Sequence, residues 1–150
     1  MFGFKKKKTP TELKFEEQID GIEVDLLFGD LPTYMDKLQP SLDALSREEK
    51  FALNDKGFHT AKLNKTETHK ILSLWFALEK GMSMRCFSPG YRIKFLSDQQ
   101  IVKTASICWQ CNHIKLVDAS GTENWFSFNG ATQTAQDLLA KCRSAIESEL

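Results

Sequence analysis

Apolar and polar residues alternate over residues 91–95, with Tyr91, Ile93 and Phe95 on one side and Arg92 and Lys94 on the other. A period of two marks a half-buried strand. The same alternation fills 13–19 and 22–28, which flank Asp20-Gly21. Asp-Gly favours a two-residue type I′ turn, because both central residues take positive φ. The pattern therefore predicts a hairpin over 13–28, with Ile19 opposite Ile22 and Phe15 opposite Leu26. A helix through 11–20 is the competing reading. Beyond Gly29-Asp30-Leu31-Pro32 the period lengthens, with Leu38, Leu42 and Leu45 spaced for a helix. Pro40 divides this stretch, so two short helices are expected, the second opened by a Ser46/Glu49 capping box. Residues 57–63 alternate weakly, as a strand would.

Residues 67–80 carry an apolar stripe of Ile71, Leu72, Trp75 and Leu78, with Thr66 as N-cap and Gly81 as C′ residue. From Met82 on, the chain reads as a β-meander. Strands are expected at 84–87, 91–95, 101–117 and 124–128, and the long third one should bend or bulge near its middle. Thr134 opens a last helix with Leu138, Leu139, Cys142 and Ile146 on one face. The sum is one α+β domain over 1–150. Its antiparallel sheet, a meander over about 84–128 plus the 13–28 hairpin, is covered by helices at about 67–80 and 133–147.

Composition narrows the classes. In 150 residues, 11 Phe and 3 Trp are too much apolar surface to leave solvated. No apolar run approaches the ~20 residues that cross a bilayer, so no membrane contact is expected. The start, with two Phe before Lys5–Lys8, lacks the apolar stretch of a secretory signal. The expectation is a cytoplasmic chain with a flexible basic tail over 1–10.

The formal net charge is zero, but residues 9–55 hold 12 acids and 4 bases, and residues 56–115 hold 10 bases and 3 acids. Two packed blocks that neutralise each other is the simpler reading. The sharper one is an acidic contact surface for a basic partner, with Asp25, Asp30 and Asp36 as its candidate residues. Nucleic acid is an unlikely partner: Tyr91, Ile93 and Phe95 share a face as core residues do, and the pI near 6.8 gives no cationic surplus.

The cysteines are Cys86, Cys108, Cys111 and Cys142. Cys108-Trp109-Gln110-Cys111 is a CxxC inside a β-like stretch. In a regular strand its thiols face opposite sides, about 10 Å apart along the chain, so a redox pair needs a turn at Trp109-Gln110. A zinc site would use Cys86, Cys108, Cys111 and His113, whose donor types suit tetrahedral zinc but whose spacing is unlike a usual knuckle. The simplest reading is buried structural thiols. No Walker loop, GxGxxG, HExxH or GxSxG is present, so no catalytic residues or resident cofactor are assigned.

Residues 86–93 (Cys-Phe-Ser-Pro-Gly-Tyr-Arg-Ile) followed by 106–112 (Ser-Ile-Cys-Trp-Gln-Cys-Asn) resemble a loose group of small bacterial proteins with the pattern CFxPxxxI, a turn, ICxxCN, an aromatic strand and a terminal helix. The resemblance covers about 84–145. It implies that the cysteines belong to a recurring strand pattern, and it implies no activity. A foldable core without a catalytic constellation points to a non-enzymatic protein-interaction domain, such as a bacterial immunity or accessory protein. The alternative is a thiol-based zinc or redox site at the CxxC.

Overall fold

The alternation at Tyr91, Ile93 and Phe95 builds the middle of the sheet, and all three are buried to the last percent. In the computed structural model, which describes residues 18–150, they lie on β3 (Tyr91–Ser97). The other strands are β1 (Gly21–Leu26), β2 (His59–Lys62), β4 (Gln100–Cys108), β5 (His113–Asp118) and β6 (Glu123–Ser127). Their order is β2-β1-β3-β4-β5-β6, and every neighbouring pair is antiparallel. The helices are α1 (Met35–Asp43), α2 (Arg47–Lys56), α3 (Lys65–Phe76) and α4 (Gln133–Glu147), with a 3-10 segment Phe28–Tyr34 ahead of α1. This is the α+β fold with an antiparallel sheet that the pattern implies.

Two ladders of apolar side chains cross the sheet. Val24, Ile93, Ala105 and Leu116 are successive cross-strand partners, as are Leu26, Tyr91, Ile107 and Ile114. They form one face, onto which α3 lays Ile71 and Trp75 and α4 lays Ala135, Leu138, Cys142 and Ile146. The Trp75 and Phe95 rings meet with centroids 5.2 Å apart. Each such side chain contributes about 1.5–3 kcal/mol by leaving water.

The opposite face carries the charges. Asp25 is fully buried there, with its carboxylate 2.8 Å from Arg92 Nε and 3.1 Å from Lys94 Nζ, and Thr60 Oγ1 donates to it at 2.6 Å. Glu23 pairs with Lys94 at 3.1 Å. The acidic first block and the basic middle block thus meet strand to strand and neutralise each other.

Several expectations change. The second arm of the 13–28 hairpin is β1, but both edges of β1 are taken, by β2 and β3. Gly21 has no positive φ and pairs with Leu96, so Asp20-Gly21 is not a hairpin turn. Residues 13–17 and the expected tail over 1–10 lie outside the described residues. The type I′ positions belong to Asp98 and Gln99, with φ of 48° and 66°, which join β3 to β4. Pro40 sits inside α1, and the chain breaks after Asp43 instead. The Ser46/Glu49 capping box is present.

The cap of α3 is Asn64, two residues before Thr66. Gly81 is needed for a different reason than helix termination: a Cβ there would drive into the Phe128 carbonyl oxygen. Residues 84–87 form no strand.

Candidate functional site

The stretch 101–117 is two strands, β4 and β5, joined by a reversal over 109–112. Asn112 takes φ 54°, the left-handed conformation that Asn tolerates better than most residues. Its side chain fastens the reversal on two sides. The carboxamide oxygen accepts from Gly130 N at 3.2 Å, and Nδ2 donates to Met82 O at 3.4 Å.

Residues 81–90 form an irregular strap that wraps this hairpin tip. Met84 N donates to Cys111 O at 2.9 Å, Gly90 N to Ile107 O at 3.0 Å, and Leu27 N to Gly90 O at 2.8 Å. The two motif segments of the sequence, 86–93 and 106–112, are therefore one structural unit.

The reversal falls where a thiol pair needs it. Because the chain reverses after Cys108, the Cys108 and Cys111 thiols do not face opposite sides of one strand, and each lies close enough to affect the other electrostatically. Both residues are buried, while Cys86 on the strap is exposed. Burial pushes the Cys111 thiol up to about 12, the neighbouring Cys108 thiol adds to this, and the Ser88 N–H opposes it.

His113 is the cross-strand partner of Cys108, and its Nδ1 is buried with no hydrogen-bond partner among the described residues. Its ring lies against Trp125, with centroids 4.9 Å apart, and against Phe87 at 5.9 Å. The candidate zinc ligands Cys86, Cys108, Cys111 and His113 are thus drawn into one region. Yet among the described residues no three His, Cys, Asp or Glu are placed to hold a metal ion together.

The outer side of this unit is apolar and open. Trp125 on β6 is 47% exposed, and Met84 and Met82 on the strap are 61% and 86% exposed. Phe87 supports Trp125 from below at 4.9 Å, and Lys115 Nζ lies 5.8 Å from its ring centroid. β6 is the last strand of the sheet, and its outer edge has no strand partner among the described residues.

The inner side is polar. A cleft of about 180 Å³ is lined by Asp30, Ser88, Tyr91, Trp109, Leu139 and Arg143 among others. That is well below the ~300–1,000 Å³ of cofactor and drug-sized sites. Its polar groups are committed to one another. Arg143 donates to both Asp30 oxygens at 2.9 and 3.0 Å, Tyr91 OH donates to Asp30, and the Tyr34 and Tyr91 hydroxyls lie 2.8 Å apart. Burial raises the Tyr91 hydroxyl, and its bond to Asp30 raises it further.

The three candidate residues of the expected acidic contact surface lie in different settings. Asp25 is buried among Arg92, Lys94 and Thr60, and Asp30 is held by Arg143, Tyr91 and Thr33. Neither is offered to a partner. Asp36, in the first turn of α1, is exposed. The apolar surface at Met82, Met84 and Trp125 was missed by sequence reasoning. Its one signal was Met-x-Met in a segment that does not continue the strand alternation.

The chain matches no protein family, no curated protein and no solved structure. No helix among the described residues is long and apolar enough to cross a membrane.

Proposed function

We propose that the protein is a non-enzymatic cytoplasmic protein-interaction domain, which docks an extended segment of a partner protein along β6 and over Trp125. One observation carries this reading: β6, whose outer edge has no strand partner among the described residues, carries the exposed Trp125, and the strap that packs Phe87 against Trp125 also exposes Met82 and Met84. Edge strands of monomeric proteins are usually covered or guarded by charge. Here Glu123 guards one end of β6, while Trp125 stands exposed in its middle. Strand addition supplies main-chain hydrogen bonds, an exposed Trp supplies an aromatic anchor, and the exposed Met side chains of the strap supply adaptable apolar surface.

The test is recovery of a partner from the source organism by the tagged chain and by two variants. Trp125→Ala with Met84→Glu should lower affinity for that partner at least about tenfold, since central aromatic anchors commonly carry 2 kcal/mol or more. Phe51→Glu, at an exposed aromatic on α2 away from this surface, should leave affinity unchanged. A partner held equally well by the Trp125/Met84 variant would refute the docking surface.

A further inference from the structure

We infer that the segment docked along β6 is the β6 of a second copy of this chain, paired antiparallel about a two-fold axis at Trp125. The inference rests on the docking surface proposed above and names its occupant. The hydrogen bonds between β5 and β6 fix what the open edge offers. Asp118 N donates to Thr122 O, and Phe128 N donates to Asn112 O. Bonded pairs alternate with unbonded ones along an antiparallel ladder. Leu116/Asn124 and Ile114/Phe126 are therefore the bonded pairs between those two ends. Glu123, Trp125 and Ser127 are left with their N–H and C=O groups directed at the open edge. Their side chains share the charged face of the sheet, because Trp125 lies in one cross-strand row with Lys115, Ser106, Arg92 and Asp25.

An antiparallel mate must set its own outward-bonding residues opposite these three. In a second copy they are again Glu123, Trp125 and Ser127. Only the register centred on Trp125 pairs all five residues of the strand. It sets Trp125 against Trp125 and each Glu123 against the Ser127 of the other copy. Each of these facing pairs exchanges two main-chain hydrogen bonds. The Glu123 carboxylate meets a hydroxyl donor in place of a like charge, and the two indoles meet as an aromatic cross-strand pair. The edge is thus complementary to itself, which is the condition for a two-fold interface. The other edge of the sheet is built differently. β2 has four residues and ends on the exposed Lys62, and short strands and lysines resist strand addition. β6 carries neither Lys nor Pro. Phe87 packs on Trp125 with ring centroids 4.9 Å apart, so the indole is held in place before docking. In the pair, the two six-stranded sheets run on as one.

The test is sedimentation equilibrium of the full chain over a concentration series. The wild type should approach twice its 17.1 kDa. Ser127→Glu places a carboxylate opposite Glu123 in both outer pairs, and should raise the dimer dissociation constant at least about tenfold. Glu123→Lys together with Ser127→Glu sets opposite charges across the same pairs and should restore the dimer. Circular dichroism checks that both variants keep the fold. A wild type that stays at 17.1 kDa throughout the series overturns the second copy as occupant. The docking surface itself is then judged separately, by partner recovery with the Trp125/Met84 variant. A dimer undiminished by Ser127→Glu, or a folded double variant that stays monomeric, overturns the two-fold register and the inference with it.

Discussion

Arg143 on α4 grips both carboxylate oxygens of Asp30, at 2.9 and 3.0 Å, and so ties the last helix to the 3-10 segment 113 residues earlier. The same carboxylate accepts from Tyr91 OH on β3, which in turn meets Tyr34 OH at 2.8 Å. One charge thus joins three elements, which the Tyr34 hydroxyl also links through Tyr91 OH and the Arg143 carbonyl oxygen. Asp30→Asn keeps the shape but loses the ion pair, and should cost about 2–3 kcal/mol in urea unfolding. Arg143→Lys keeps the charge but cannot form two parallel bonds, so it should recover less than half of that loss. Equal stability of wild type and Asp30→Asn would show that the pair contributes nothing net.

The same carboxylate sets an acid limit on stability. Burial pushes the Asp30 carboxyl up, but the bonds from Arg143, Tyr91 and Thr33 together outweigh burial and hold it below its ordinary value. A group whose folded pKa is depressed contributes stability above its unfolded pKa, here about 3.9, and loses that contribution as pH falls through the folded value. The gap in unfolding free energy between wild type and Asp30→Asn should therefore be constant near neutrality. It should shrink below about pH 4. Urea midpoints across an acid series check this, and a gap that widens on acidification would contradict the assignment.

What the chain disclosed, and what it hid, follows from how local each signal is. The Ser46/Glu49 cap needs only a four-residue stretch, and it is present as read. The partners of β1 depend on the whole sheet. Burying Val24 and Leu26 between β2 and β3 outweighs the turn preference of Asp20-Gly21, so Gly21 stays extended opposite Leu96.

The reversal at 109–112 was masked by its own residues. Ala105 and Ile107 point inward at odd numbers, and Trp109 and Cys111 prolong that apolar series past the end of β4. Only at Ile114 and Leu116 does the inward set shift to even numbers. That change of phase is the trace the turn left in the sequence. The exposed Trp125 left none, because an outward Trp on a short strand reads like an inward one.

The β3–β4 turn offers a gain in stability. Its central residues Asp98 and Gln99 both take positive φ, and Gln99, at 66°, has no special tolerance for it. A side chain in the left-handed region costs about 1–2 kcal/mol, which glycine avoids at some expense in unfolded-state entropy. Gln99→Gly should therefore stabilise the protein by about 0.5–1 kcal/mol. Asp98 N–H donates to Asp20 Oδ2 at 3.1 Å, a bond that the substitution at Gln99 leaves in place. A lower thermal midpoint for Gln99→Gly would mean that the Gln99 side chain contributes more than its backbone costs.

Asn112 separates two roles that coincide at the hairpin tip, backbone conformation and tethering. Its φ of 54° is costly for most side chains, and its carboxamide joins the tip to Gly130 and Met82. Asn112→Gly relieves the backbone but drops both tethers, for a net loss of about 0.5–1 kcal/mol. Asn112→Ala drops the tethers and adds the left-handed penalty, for about 1.5–2.5 kcal/mol. The order of stability should be wild type, then glycine, then alanine. Amide exchange at Met84, whose N–H is bonded to Cys111 O, should quicken in both variants, because the strap loses its Asn112 bond in each. Equal stability of the two variants would remove the backbone term. Unchanged Met84 exchange would show that the strap is held by Cys111 and Gly90 alone.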